Sequence, residues 1–331
     1  MGVGRSGPRR LRLITAMPDH LDRYLRAFRS LNVNRTGGRA SPHKPCMLLA
    51  VLGLAEAGDL ERNEIRFDPA LLERYVKFFG VVRSETDHAN PHFPFFHLSS
   101  EGFWHLQPLP DREAVVESMD SARSTSAVTD NIAYASLDPE LHALVLDERS
   151  RAALREELVV AWFGSYRTRL DRILQEERGS DRYQSALRHG HASTELLARE
   201  APPEPARSAA FRRIVSEIYD YRCAASGWRI ILPDSRVMVE AAHLIPFAES
   251  HDDDPRNGIA LAPSFHWALD AHVIAPGPDH VWHVSKALDE RVADNNPLLE
   301  LAGQSLMLPK EKSLWPKKEA LEWRLGHLLE R

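Results

Sequence analysis

Three polar residues in the last third of the chain have the types and spacing to hydrolyse a phosphodiester. His243 lies in an apolar stretch, Ala-Ala-His-Leu-Ile-Pro at residues 241–246; Asn257 follows 14 residues later in an Asp-Pro-Arg-Asn-Gly loop, and His266 follows 9 after that. Such hydrolysis needs a base to activate water, a Lewis acid to take up charge on the phosphate and leaving oxygen, and a group that holds the base in one tautomer. A strand-borne histidine, a loop asparagine and a helix-borne histidine can fill these roles, with the helix carrying a metal ligand beneath the histidine of a hairpin. Arg222 and Asp270 are supporting candidates. Each residue also has a plain structural reading. A lone histidine is commonly a satisfied polar core group, Asn-Gly is commonly a turn, and Asp270 could be a helix-surface acid. Their order and company favour the catalytic reading.

The elements that must position them follow from the pattern of apolar residues. A helix over 209–219 opens the second half. Two short strands come next, with His243 ending the second, then a polar loop with Asn257-Gly258 at its turn, then a helix for which Ser264 is a good N-cap. Further upstream, Leu21, Tyr24, Leu25 and Phe28 recur at helical spacing. Residues 46–57 read as an almost wholly apolar helix ended by Gly58, and Leu71, Leu72, Tyr75, Val76 and Phe79 mark a helix stopped by Gly80. The aromatic stretch 90–106 reads as a small β-hairpin turning at Ser-Ser-Glu-Gly, residues 99–102. Helices resume over 139–163. The tail, 306–331, ends in a helix and packs on the second half, with Lys310, Lys312, Lys317 and Lys318 as alternative DNA contacts.

A chain of 331 residues is long enough for two cores. The expected organisation is α+β: a flexible N-terminus (1–18), a mainly helical first domain with the hairpin (19–170), a linker (171–207) containing a Pro-rich spacer at 200–206, and a second domain with the tail (208–331); the resemblances given below imply DNA recognition for the first and a nuclease for the second. The 43% hydrophobic and 27% charged composition is that of a soluble protein, and no apolar run approaches a membrane span. The arginines before residue 13 lack the apolar core of a secretory signal, so a cytoplasmic location is expected. Two cysteines, Cys46 and Cys223, one in each half, argue against a disulfide framework. The net charge of −5 is unusual for a DNA-binding protein. Basic residues nevertheless cluster at 35–44, 207–213 and 310–318.

Residues 221–274, with the Ala-Ala-His-Leu-Ile-Pro core, the Asp-Pro-Arg-Asn-Gly loop and a His four residues before Asp270, resemble the HNH endonuclease family. The resemblance implies a ββα-metal fold with His243 as general base, Asn257 positioning the catalytic loop or the base, and His266 as a metal ligand. Arg222 is a further catalytic candidate and Asp270 a further metal ligand. It implies a divalent ion, Mg²⁺ with Mn²⁺ or Ni²⁺ as alternatives, double-stranded DNA as substrate, and a homodimer, since cutting both strands asks for two sites of opposed polarity. Many such enzymes place a metal-binding acid just before the base, where this chain has Ala242. Asp270 or a carboxylate from 252–254 is left to compensate. Cys223 has no partner for a structural zinc.

Two upstream segments, Gly-Arg-Ala-Ser-Pro-His-Lys-Pro at 38–45 and His-Phe-Pro-Phe-Phe-His-Leu at 92–98, resemble the DNA sulfur-binding domain of McrA-type modification-dependent restriction enzymes. The resemblance implies a shallow apolar pocket for the sulfur of a phosphorothioate, built from Phe93, Pro94, His43 and Lys44, with Arg39 beside them. Phe93 stands where the family commonly shows Tyr. Sulfur makes one face of the linkage softer and less hydrated, so an apolar wall can prefer it while cations hold the remaining charge. Three alternatives stand beside this reading: Phe93, Phe95 and Phe96 as core aromatics, unmodified or methylated DNA as target, and a non-catalytic DNA-binding protein with a decayed HNH fold.

Overall fold

The computed structural model describes residues 9–36, 38–189, 203–232 and 236–330. The chain divides into two compact units, Met1–Arg178 and Gly179–Arg331. Among the described residues, no helix is long and apolar enough to cross a membrane.

The first unit is built on α1 (Arg9–Arg29), α2 (His43–Glu56), α3 (Pro69–Val82), α4 (His92–His97), α5 (Pro139–Leu146) and α6 (Glu148–Trp162). A two-residue ladder, β1 (Arg35–Thr36) with β2 (Arg39–Ala40), precedes α2. Tyr24 and Phe28 of α1, nearly all of α2, and Leu71, Tyr75, Phe78 and Phe79 of α3 form its core. α2 is buried on all sides, as its apolar sequence demands. It ends where expected: Gly58 takes φ +79, the left-handed conformation that closes a helix and favours glycine.

Several elements differ from the sequence expectation. Helix α1 begins at Arg9, inside the stretch expected to be flexible; its Arg and Leu residues are good helix formers. α3 runs past Gly80 to Val82, because a glycine with helical φ costs a helix only about 1 kcal/mol. The stretch 90–106 is not a hairpin. It folds as α4 and a 3-10 turn, Leu98–Glu101, closed by Gly102 at φ +78. Strand β3 (Trp104–Pro108) then pairs antiparallel with the distant β4 (Ile132–Leu137), and Ile65 bridges Ala135 on β4.

The described residues of the region expected as a linker, 171–189 and 203–207, are nearly all helical, and 190–202 lie outside the described residues. Helix α7 (Arg167–His189) supplies Leu170 and Leu174 to the first core and Tyr183 and Leu187 to the second. Of the Pro-rich spacer, residues 200–202 lie outside the described residues. The rest opens α8 (Glu204–Ile218), in whose first turn a proline loses no helical hydrogen bond.

The second unit is centred on β5 (Glu240–His243) and β6 (Gly258–Leu261), antiparallel with Glu240 opposite Leu261 and His243 opposite Gly258, followed directly by α9 (Pro263–Asp270). His243 therefore ends the first strand of the ββα unit, not the second. The segment expected as a loop over 252–261 contains the partner strand. All four residues of β6 are buried, so it shows no polar alternation. Ser264 is not the N-cap of α9; Ala262 precedes a helix begun by Pro263. A second pair, β7 (Ile274–Pro276) with β8 (Trp282–Val284), and a last helix, α10 (Lys318–Gly326), complete the unit.

Candidate active site and DNA-recognition cleft

His243 stands at the end of β5 with its ring flat against Phe211 of α8, centroids 3.9 Å apart and planes within 5°, and with Phe247 at 6.0 Å. The close approach explains Gly258. At φ −130 it needs no left-handed freedom, but a Cβ there would lie 2.7 Å from both Phe211 Cζ and Val215 Cγ2. Asn257-Gly258 is thus not a hairpin turn. Glycine is required because α8 presses on β6.

His243 Nε2 lies 2.9 Å from Asp253 Oδ1. Asp253 is fully buried, and its Oδ2 accepts from Arg207 Nη1 at 2.6 Å and from the Tyr183 hydroxyl at 3.0 Å. Burial alone would raise the Asp253 carboxyl, but the hydrogen bonds from His243 and Arg207 and the guanidinium charge leave it below the usual carboxylate range. Arg207 also lies 3.5 Å above the Phe247 ring.

Asn257 is buried and staples the loop between the strands. Its Oδ1 accepts from Ile245 N at 2.9 Å, and its Nδ2 donates to Ile245 O and Asp252 O, both at 3.0 Å. Those are the contacts of a residue that holds a loop. The other two acids of the 252–254 run are committed elsewhere. Lys317 Nζ donates to Asp252 at 2.7 Å and pairs with Asp254 at 3.0 Å, while Arg256 Nη2 reaches Asp254 at 2.6 Å. Burial opposes ionisation of Asp254, but Arg256 and Lys317 hold its carboxyl down at about 2. Each carboxylate of this run thus already faces a basic side chain or the histidine.

His266, on α9, is bracketed by carboxylates. Its Nδ1 lies 2.8 Å from Glu240 Oε2 on β5, and its Nε2 lies 3.4 Å from Asp270 Oδ2 one turn along the helix. Among the described residues no three His, Cys, Asp or Glu side chains gather into a metal cage. The donor set nevertheless fits a hard divalent ion held partly by protein and partly by water or phosphate oxygens. His266 Nε2 and Asp270 would be the protein ligands. Glu240, on the opposite side of the ring, would take the Nδ1 proton and so fix the ligating tautomer. Glu240 was not picked out from the sequence, although it lies on the same strand as Ala242, two residues before it.

Arg222 is half-exposed and faces Asp220 at 3.5 Å, not the two histidines. A contribution that the sequence hid comes from α10. Arg324, buried, donates to His243 O at 2.8 Å, Leu244 O at 2.7 Å and Leu269 O at 3.2 Å, tying the end of β5 to the end of α9. Burial pushes its guanidinium down to about 10, which leaves it charged at neutral pH. The tail does pack on this unit, and Lys317 is used within it.

In the first unit a cleft of about 470 Å³ brings together His43, Lys44, Phe93 and Pro94, with His97 and Ser100 beside them. Phe93 is 36% exposed, whereas Phe95 and Phe96 are buried, so the core-aromatic reading holds for these two and not for Phe93. His97 escaped the sequence reading because the stretch was taken for strand. As helix, residues 93 and 97 fall on one face, and their rings stack at 6.4 Å.

His43 is fixed at both nitrogens, Nδ1 to Ser41 Oγ at 2.8 Å and Nε2 to His88 O at 2.9 Å. Burial lowers the pKa of His43, and burial together with the Lys44 charge lowers that of His97, so both rings are neutral at neutral pH. Among the described residues lining the cleft Lys44 is the one Lys or Arg, and its ammonium is held by Glu101 and by Ser100 Oγ at 3.0 Å. Arg39 lies outside the lining; Asp87 and Val82 O, each at 2.6 Å, hold its guanidinium.

This ββα unit, with a histidine on each side, is that of an HNH endonuclease, and residues 223–275 match the HNH endonuclease family model. More particularly, residues 21–175 match the model of the ScoMcrA-like DNA sulfur-binding domain, so the chain carries both a sulfur-binding domain and an HNH nuclease domain. Among solved structures, the modification-dependent TagI restriction endonuclease is 19% identical over 38% of this chain and 40% of its own, with a TM-score of 0.29. The chain thus spans about two fifths of that enzyme's length. The sulfur-binding domain of SprMcrA complexed with phosphorothioated DNA is 20% identical over 49% of this chain and 96% of its own, with a TM-score of 0.37. No curated protein matches the chain significantly.

Proposed function

We propose that this protein is a divalent-metal-dependent restriction endonuclease that recognises phosphorothioate-modified DNA through the cleft of its first unit and cuts it with the ββα site of its second. The observation that carries the target is the chemistry of the cleft. Phe93 and Pro94 offer an apolar wall, the two histidines are neutral, and the Lys44 charge is already answered by Glu101. A fully hydrated phosphate oxygen entering such a cleft loses water without acquiring a free cation, whereas the less hydrated sulfur loses little.

In the nuclease site His243 is the general base. It takes a proton from water as the water oxygen bonds to phosphorus, and the P–O bond to the leaving strand breaks. Asn257 holds the loop behind the base. His266 and Asp270 would hold the ion, Mg²⁺ or alternatively Mn²⁺ or Ni²⁺, which would supply charge stabilisation on the phosphate. Cleavage of both strands calls for two such sites, and a homodimer on double-stranded DNA meets that need.

The test is cleavage of two plasmids of one sequence, one from a phosphorothioate-modifying host and one unmodified, with Mg²⁺ or Mn²⁺ and with His243→Ala as control. Cutting confined to the modified plasmid and abolished in the variant is the expected result. Equal cutting of both plasmids would remove the sulfur reading and leave unmodified DNA as target. No cutting under either metal would leave a DNA-binding protein with a decayed nuclease fold.

A further inference from the structure

We propose that Asp253 is the positioning residue that keeps the basic lone pair of His243 on Nδ1, and that Arg207 and Tyr183 determine which oxygen of Asp253 does so. The proposal deepens the general-base assignment above and rests on it. A neutral imidazole carries one N–H and one lone pair, and the hydrogen bond made by one nitrogen decides the role of the other. Here Nε2 faces a buried, ionised carboxylate at 2.9 Å, which can only accept. Nε2 must therefore carry the proton, and Nδ1 is left to receive one from water.

The carboxylate is itself locked. Its Oδ2 accepts from two donors, Arg207 at 2.6 Å and Tyr183 at 3.0 Å, so Oδ1 is the oxygen that meets the histidine. The groups facing His243 are Phe211 from α8, Phe247 from the loop between the strands, Asp253, Arg207 through Asp253, and Arg324, which holds the histidine's own carbonyl. Asp253 is the one acid among these groups.

This asymmetry dictates what an amide would do at position 253. In Asp253→Asn the oxygen must stay with Arg207 and Tyr183, because both are donors, and the NH₂ group must then face His243 Nε2. An NH₂ group donates, so Nε2 would have to accept, and the ring proton would move to Nδ1. The base would be disarmed with its position unchanged.

The tautomer is read directly by ¹⁵N NMR of histidine-labelled full-length protein, with the His243 signals assigned by their loss in His243→Gln. In the neutral ring the expected wild-type spectrum has a protonated Nε2 and an unprotonated Nδ1, reversed in Asp253→Asn. Cleavage turnover of Asp253→Asn on a substrate the wild type cuts should fall by about 10²–10⁴-fold, with KM for DNA unchanged, as for a histidine base forced into the wrong tautomer. A wild-type His243 protonated on Nδ1 overturns the proposal, and so does a folded Asp253→Asn protein with wild-type turnover. If Asp253→Asn does not fold, the wild-type spectrum still decides. Failure of the general-base reading shows up separately, as undiminished cleavage by His243→Gln, because the tautomer measurement needs no activity.

Discussion

Replacing Arg324 by alanine tests whether the last helix holds the catalytic strand in place. The guanidinium occupies three backbone carbonyls, His243 O, Leu244 O and Leu269 O, at 2.8, 2.7 and 3.2 Å. An alanine cannot reach any of them, and each buried carbonyl left without a donor costs about 1–3 kcal/mol. Water entering the vacated volume would recover part of this, so the expected loss is about 4 kcal/mol, within the range for breaking a buried charged network. For a unit of this size that corresponds to a fall in melting temperature of roughly 10 °C. Two of the three carbonyls belong to the proposed base and its neighbour, so the folded fraction should also cut at least tenfold more slowly, since small misplacements of a reacting group are costly. Arg324→Lys, which keeps the charge but reaches fewer carbonyls, should fall between. Urea unfolding followed by circular dichroism, with plasmid cleavage measured at a temperature where the variant is folded, provides both readouts. A loss under about 1 kcal/mol together with wild-type cleavage would refute the argument that α10 anchors the site.

Glu101→Gln would leave the Lys44 ammonium unanswered in the cleft, so affinity for ordinary duplex should rise more than affinity for phosphorothioate duplex, because an ammonium bonds a hard oxygen better than a soft sulfur. Fluorescence anisotropy should show selectivity falling about tenfold, equivalent to about 1.4 kcal/mol, and unchanged affinity for plain DNA would count against the neutral-cleft reading. Gly258→Ala forces a methyl group against Phe211 and Val215 at 2.7 Å, and overpacking of this kind costs about 1–3 kcal/mol; a denaturation midpoint equal to wild type would contradict the close packing of α8 on β6. Burial lowers the folded-state pKa of His43, His92 and His97 from 6.5, so the unfolded chain binds more protons and stability, complete above pH 6.5, falls as the pH drops below it. Thermal midpoints that stay level between pH 7.5 and 5 would show that these rings do not resist protonation.

How far the sequence could be read depended on whether a residue's role lies in its type or in its surroundings. α2 was legible because an almost wholly apolar run flanked by proline and glycine can hardly be anything but a buried helix. His243, Asn257 and His266 were legible as an ordered set. β6 was not: Gly-Ile-Ala-Leu is buried throughout, so it lacks the alternation that marks a strand, and its Asn-Gly start imitates a turn. Among Asp252, Asp253 and Asp254 the sequence offers no ground for choice, whereas burial and partners give one to His243 and the other two to Lys317 and its neighbours. The six residues of α4 contain three phenylalanines, and only their helical placement separates exposed Phe93 from buried Phe95 and Phe96.

The same distinction applies to charge. Runs of Lys and Arg at 35–44, 207–213 and 310–318 invite assignment as phosphate contacts, yet a run counts residues and not free cations. Arg39 is held by Asp87, Lys44 by Glu101, Arg207 by Asp253, Arg213 by Asp181 and Lys317 by Asp252 and Asp254. Affinity for unmodified DNA depends on the number of phosphates neutralised by available cations, and each internal pair removes one from that number. A net charge of −5 is then no obstacle to a restriction function. Under the function proposed above, an enzyme that must ignore ordinary phosphates is better served by a cleft with its cation already paired than by a basic groove, and the apolar wall of Phe93 and Pro94 would make the distinction.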